Sequence, residues 1–123
     1  MVGLIWTIQV VHYPLFRKVP ESGFTEYERS HTRRAGALLA LPALVEIVTA
    51  AALVWARPDG VGLTLVLIAG MLLAAVWIMT AAVHAPIHRR LSAGRDPALI
   101  ARLVSTNWWR TALWSLRGIA AAA

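Results

Sequence analysis

The stretch Ser105-Thr-Asn-Trp-Trp-Arg-Thr-Ala-Leu-Trp-Ser-Leu-Arg117 decides how this chain is read. It places one amide and two guanidinium groups inside a segment otherwise apolar enough to cross a bilayer. Asn107, Arg110, Trp114 and Arg117 stand at intervals of three, four and three, so on a helix they form a single stripe. An arginine at mid-bilayer costs about 2.5–3.5 kcal/mol on insertion scales. The stripe is therefore expected to face a protein interior, and other helices must supply its partners.

Composition sets the frame around that stretch. The chain has 123 residues, of which 59% are hydrophobic and only 15% charged. Its mean hydropathy is +0.63. A soluble domain this small could not hide so much apolar surface, so the expectation is a single all-α domain, residues 1–123, built as an integral membrane four-helix bundle with antiparallel up-down topology. There is no cysteine, which removes disulfides and thiolate metal sites. The net charge is +6, but the basic residues cluster in two connections beside apolar runs. That is the pattern of topology signals and anionic-lipid contact, and nucleic acid is not expected as a partner.

Four spans are expected at about residues 2–18, 35–56, 61–84 and 98–121. The first lacks the basic start and cleavage site of a signal peptide, so it is taken as retained. It is short for a span, which points to a start upstream of Met1. Val19-Pro20-Glu21-Ser22-Gly23 breaks the helix, and Thr25-x-x-Glu28 has the form of a capping box opening the next one. Arg57-Pro58-Asp59-Gly60 is a tight turn. Pro86 is a candidate kink, Gly94 a candidate stop, and Asp96-Pro97 an N-cap with a first-turn proline. No internal repeat stands out. Arg17, Lys18, Arg29, Arg33, Arg34, Arg89, Arg90, Arg95 and Arg102 all fall beside the two longer connections, so the positive-inside rule makes those cytoplasmic and sends both termini out of a plasma membrane.

Helical rise gives depth. Glu46 and Arg110 both come out about 18–20 Å from the cytoplasmic edge, so an ion pair between them is expected. Gln9, His12, Tyr13 and Phe16 share one face of the first helix, and Trp77, Thr80, His84 and His88 one face of the third. Together with Asn107 they would form a polar funnel open to the cytoplasm. In it Arg110 and Asn107 would stabilise an oxyanion, His84 or His12 would take a proton, and Glu46 would orient Arg110. Gln9, Tyr13, Trp77, Thr80 and Trp108 are candidates to line a hydrophobic aromatic ligand, with a tryptophan stacking on Arg110. Metal binding has weaker signals: Glu28-x-x-His31 resembles half a di-iron element, and His84 and His88 stand four apart, which leaves His31 and His88 as candidate ligands. Haem between His12 and His84 is the cofactor alternative. A non-catalytic small subunit is the third, with the small residues around Gly70, Ala74 and Ala75 as a packing face for a second copy or larger assembly.

The strings Trp6-Thr-Ile-Gln-Val-Val-His-Tyr-Pro-Leu-Phe16, Phe24-Thr-Glu-Tyr-Glu-Arg-Ser-His-Thr-Arg33, Leu41-Pro-Ala-Leu-Val-Glu46, His84-Ala-Pro-Ile-His-Arg-Arg-Leu91 and Leu103 to Arg117 resemble a group of uncharacterised bacterial four-helix membrane proteins over nearly the whole chain. More distantly, the Pro-x-His and Asn-Trp-x-Arg segments are similar to anthrone-oxygenase-like membrane proteins. That resemblance implies a four-span bundle and cofactor-free oxidation of a phenolic or anthrone-like substrate, with His88, Asn107 and Arg110 carried over as site residues.

Overall fold

A computed structural model describes residues 1–122, of which the secondary structure is helix without strands. Four helices carry the chain: α1 (Val2–Phe16), α2 (Glu21–Trp55), α3 (Leu63–Leu91) and α4 (Pro97–Ala122). The second and third are long and apolar enough to cross a membrane.

Local chemistry explains most of the boundaries. Asp96 caps α4 as expected, its Oδ1 accepting from the amides of Ala98 at 2.8 Å and Leu99 at 3.1 Å, with Pro97 in the first turn. Between α2 and α3 the Val61 amide reaches the Pro58 carbonyl at 3.2 Å, and Gly60 takes φ 88°, a conformation that favours glycine. Two expectations fail. Helix α2 starts at Glu21, directly after an extended Pro20, so Thr25 and Glu28 lie inside the helix and form no capping box. Helix α3 stops at Leu91 without a left-handed Gly94, since Gly60 alone among the described residues has positive φ.

Helices α1 and α3 each contain one π turn, at Ile8–His12 and Thr80–His84. In both, an amide reaches five residues back: Tyr13 to the Ile8 carbonyl and Ala85 to the Thr80 carbonyl. In both, a proline comes immediately after, Pro14 or Pro86, with no amide hydrogen and a ring that crowds the carbonyl four residues earlier. The wider turn absorbs that conflict while the helix continues.

The helices meet around Tyr13, Phe16, Phe24, Ile87, Leu91, Ile100 and Leu103, a core to which all four contribute. A smaller cluster of Ile5, Leu73, Val76 and Trp114 joins α1, α3 and α4 further along. Helix α2 behaves differently in its two halves. Phe24 and Glu28 are fully buried, whereas beyond His31 only Ala43 is, and Leu38, Leu41, Leu44, Val48 and Trp55 point outward. Phe16 is 0% exposed and stands edge-on to Phe24 at 6.2 Å and to Tyr27 at 5.3 Å. Phe16→Ala should therefore cost about 3–5 kcal/mol, while Leu38→Ala on the open face should stay within about 0.5 kcal/mol. Melting of the two purified variants beside the parent protein checks both.

Candidate functional site

Between α2 and its neighbours lies a cavity of 630 Å³, walled by Tyr13, His31, Trp77, Thr80, His84, His88 and Arg110 among small apolar residues of α2. Tyr13, His84 and His88 arrive there by way of the π turns, and His31 from α2. An extra residue in a turn rotates the remainder of the helix by about 100°, which brings Tyr13 round to His88 while His12 next to it meets His31.

Three side chains on three helices make a continuous chain. Glu28 of α2 is wholly buried, and its Oε1 lies 2.6 Å from His88 Nδ1 of α3. His88 Nε2 lies 3.0 Å from the hydroxyl of Tyr13 on α1. A carboxylate only accepts hydrogen bonds, so Nδ1 carries the imidazole hydrogen and Nε2 is left to accept from Tyr13. The guanidinium of Arg110, from α4, stands beside the Tyr13 oxygen. Arg110 is held from behind: its Nη1 donates to Asn107 Oδ1 at 3.1 Å, and Asn107 Nδ2 donates to Gln9 Oε1 at 2.8 Å. Gln9 in turn donates to the Val104 carbonyl at 3.3 Å. Gln9 and Asn107 thus position Arg110 and do not line the cavity.

The Glu46–Arg110 ion pair does not form. Glu28–His88 is the sole pair among the described residues, and Glu46 lines a different cavity. Rise along a helix fixes depth but not direction, and α2 lies against α3, not α4; the α2 residues that line Arg110's cavity run from His31 to Ala43, short of Glu46. Trp108 also fails as a lining residue. It is 50% exposed and packs edge-on against Trp6 at 5.8 Å, one residue out of phase with the buried Asn107. Nor does a tryptophan stack on Arg110: the cation over an aromatic face is Arg117, 5.9 Å from the Trp114 ring. Trp77 and Thr80 do face the cavity, with the Thr80 hydroxyl bonded back to the Val76 carbonyl at 2.7 Å.

His84 is buried, with Nδ1 3.3 Å from the Met79 carbonyl and Nε2 3.4 Å from the Thr106 hydroxyl. His12 stands behind His31, Nε2 to Nδ1 at 2.9 Å. These engagements bear on metal binding. Both nitrogens of His88 are taken by Glu28 and Tyr13, His12 and His31 face each other, and among the described residues no three histidine or acidic groups are disposed to hold a metal ion. The donor set of His31 and His88 does not fit one, and His12 and His84 turn to separate partners, not to a shared haem.

Glu28 is the group that sequence reasoning misplaced, as a helix cap. Two signals pointed to it and its surroundings. One is the Glu28-x-x-His31 spacing, which puts both on one face of α2. The other is a repeat: Val11-His-Tyr-Pro-Leu-Phe-Arg-Lys18 matches Val83-His-Ala-Pro-Ile-His-Arg-Arg90, each copy set at the end of its own π turn, so the chain does contain a short internal repeat.

Burial, with His12 and His88 alongside, holds the His31 imidazole down to about 4 from an ordinary 6.5. The unfolded chain then binds a proton there that the folded chain refuses, so stability is full above pH 6.5 and falls as the pH drops toward 4. Glu28, His12 and His88 face the same group of rings, so His31→Asn should flatten part of this acid-side loss and not all of it, as read by melting between those pH values. Asn107→Ala should cost about 1–3 kcal/mol by stranding Gln9 and Arg110 together, measurable in the same way. No family model, curated protein or solved structure matches the chain.

Proposed function

We propose that this chain is a four-span, up-down antiparallel protein of the plasma membrane with its longer connections in the cytoplasm, and that its cavity removes a proton from a small, flat hydrophobic molecule bearing a phenolic hydroxyl or an enolisable carbonyl. The membrane part is supported by two helices of spanning length, by large apolar side chains pointing outward along α2, and by arginines concentrated at one end.

The chemical part rests on the Glu28–His88–Tyr13 chain, which ends in the wall of a mostly apolar cavity with Arg110 beside it. The acidic hydrogen of the ligand, on its hydroxyl oxygen or on the carbon that enolisation deprotonates, faces the Tyr13 oxygen. As the ligand proton passes to Tyr13, the tyrosine proton passes to His88 Nε2, so the tyrosine is restored and the imidazole becomes a cation. Glu28 stabilises that cation through Nδ1, and Arg110 stabilises the ligand anion. A water-poor cavity strengthens both interactions. The resulting phenolate or enolate is electron-rich, the form in which such molecules react with dioxygen without a cofactor. A cofactor-free oxygenase of anthrone-like substrates is the activity this favours.

Anthrone, whose anion absorbs differently from the neutral molecule, tests the proposal in purified protein. The parent protein should bind it and shift it toward the anion at neutral pH. Tyr13→Phe should keep binding but slow anion formation by about 10²–10⁴-fold, the usual share of a positioned proton-transfer group. Arg110→Gln should lower the rate by about 10²–10³-fold. Anthrone bound only as the neutral molecule, at the same rate in all three proteins, would refute the proton-transfer role.

A further inference from the structure

A second cavity, of 410 Å³, lies at the other end of α2, α3 and α4, near the turn at Pro58. Its wall includes several small residues, Ala50, Ala69, Gly70 and Ala120 among them, and a Cβ added at Gly70 would meet nothing within 4 Å. Two charged side chains from different helices line it: Glu46 of α2 and Arg117 of α4. They do not pair with each other, since the sole ion pair among the described residues is elsewhere. Glu46 Oε2 and Arg117 Nε are both buried and both without a hydrogen-bond partner.

Those two atoms are out of a ligand's reach, but the two residues bring opposite charges to one cavity without pairing, and a group bridging them would offset the cost of leaving both unpaired beside an apolar wall. The chemistry of that group is constrained from both sides. An anion would be repelled by Glu46 and a cation by Arg117, and the apolar remainder of the wall disfavours net charge. An uncharged group that donates to the carboxylate while accepting from the guanidinium fits both. Hydroxyls and primary amides do this, and the space around them suits a short apolar body.

We infer that this cavity is a second binding site, for a small uncharged amphiphile whose hydroxyl or amide head bridges Glu46 and Arg117. It is separate from the Tyr13 site, with which it shares no lining residue. Its existence does not depend on proton transfer there.

Photolabelling of the purified full chain with a diazirine-bearing 4-alkylphenol, mapped by peptide mass spectrometry, tests it. Label should appear on residues 46–70 and 117–121 and be competed by 4-propylphenol but not by propylbenzene. Label on residues 31–43 or 77–92 would instead report the Tyr13 cavity, so the two sites are read apart. Glu46→Gln and Arg117→Gln should each weaken competition about tenfold or more, as expected for losing a hydrogen bond to a charged group. Gly70→Leu, which fills the space and keeps both charges, should abolish the label there while leaving that of the Tyr13 cavity in place. Label that propylbenzene displaces equally well, or that persists in Gly70→Leu, would mean an apolar void without a polar recognition site and would overturn the inference.

Discussion

A carboxylate shut off from solvent has to be hydrogen-bonded by something close, and for Glu28 that is the Nδ1–H of His88, 2.6 Å away on another helix. Leaving either group alone would cost about 3–5 kcal/mol, so the two helices cannot slide or rotate past each other at that level without losing more than most single contacts contribute. Glu28 is wholly buried near the cluster of Phe16, Phe24 and Leu91, while His88 keeps an edge on the cavity. Past His31 no comparable tie holds α2, which runs on against α3 with Ala50 on the cluster of Ile5, Leu73, Val76 and Trp114. The cavity opens beyond that tie, between α2 and the other three helices.

The sequence made the fourth helix plain because its polar residues repeat at a helical interval, and Asn107 and Trp114 do turn inward. The third helix was legible for the same reason, and Trp77, Thr80, His84 and His88 share the cavity wall. Pairing between helices was not legible. Counting helical rise puts Glu46 and Arg110 at one depth, but which way a side chain looks depends on which neighbour its helix leans against, and that is decided by packing. Glu28 was obscured by a motif that also describes helix starts, because Thr-x-x-Glu means a cap only if the helix begins there, and Pro20 moves the beginning upstream.

The two Val-His-x-Pro elements differ in an instructive way. The first has tyrosine after its histidine and phenylalanine four residues on; the second has alanine and histidine at those places. Tyr13 therefore meets His88, each from the copy that lacks the other's group, and Phe16 goes to the core where its counterpart would go to the site. Ala85, standing where a second tyrosine would be, lines the cavity and leaves it open. Two similar elements thus yield one asymmetric centre and not two equal ones.

Each π turn holds one residue more than a regular helix of the same height would need. Removing that residue would leave the composition of both helices almost unchanged and still swing every later side chain by about 100°. His88 would then look away from Glu28, and Phe16 away from Phe24. The difference between an ordinary packed bundle and this arrangement is thus the length of two turns, a change that insertion or deletion makes in one step and that no exchange of amino acids on a helix face can imitate.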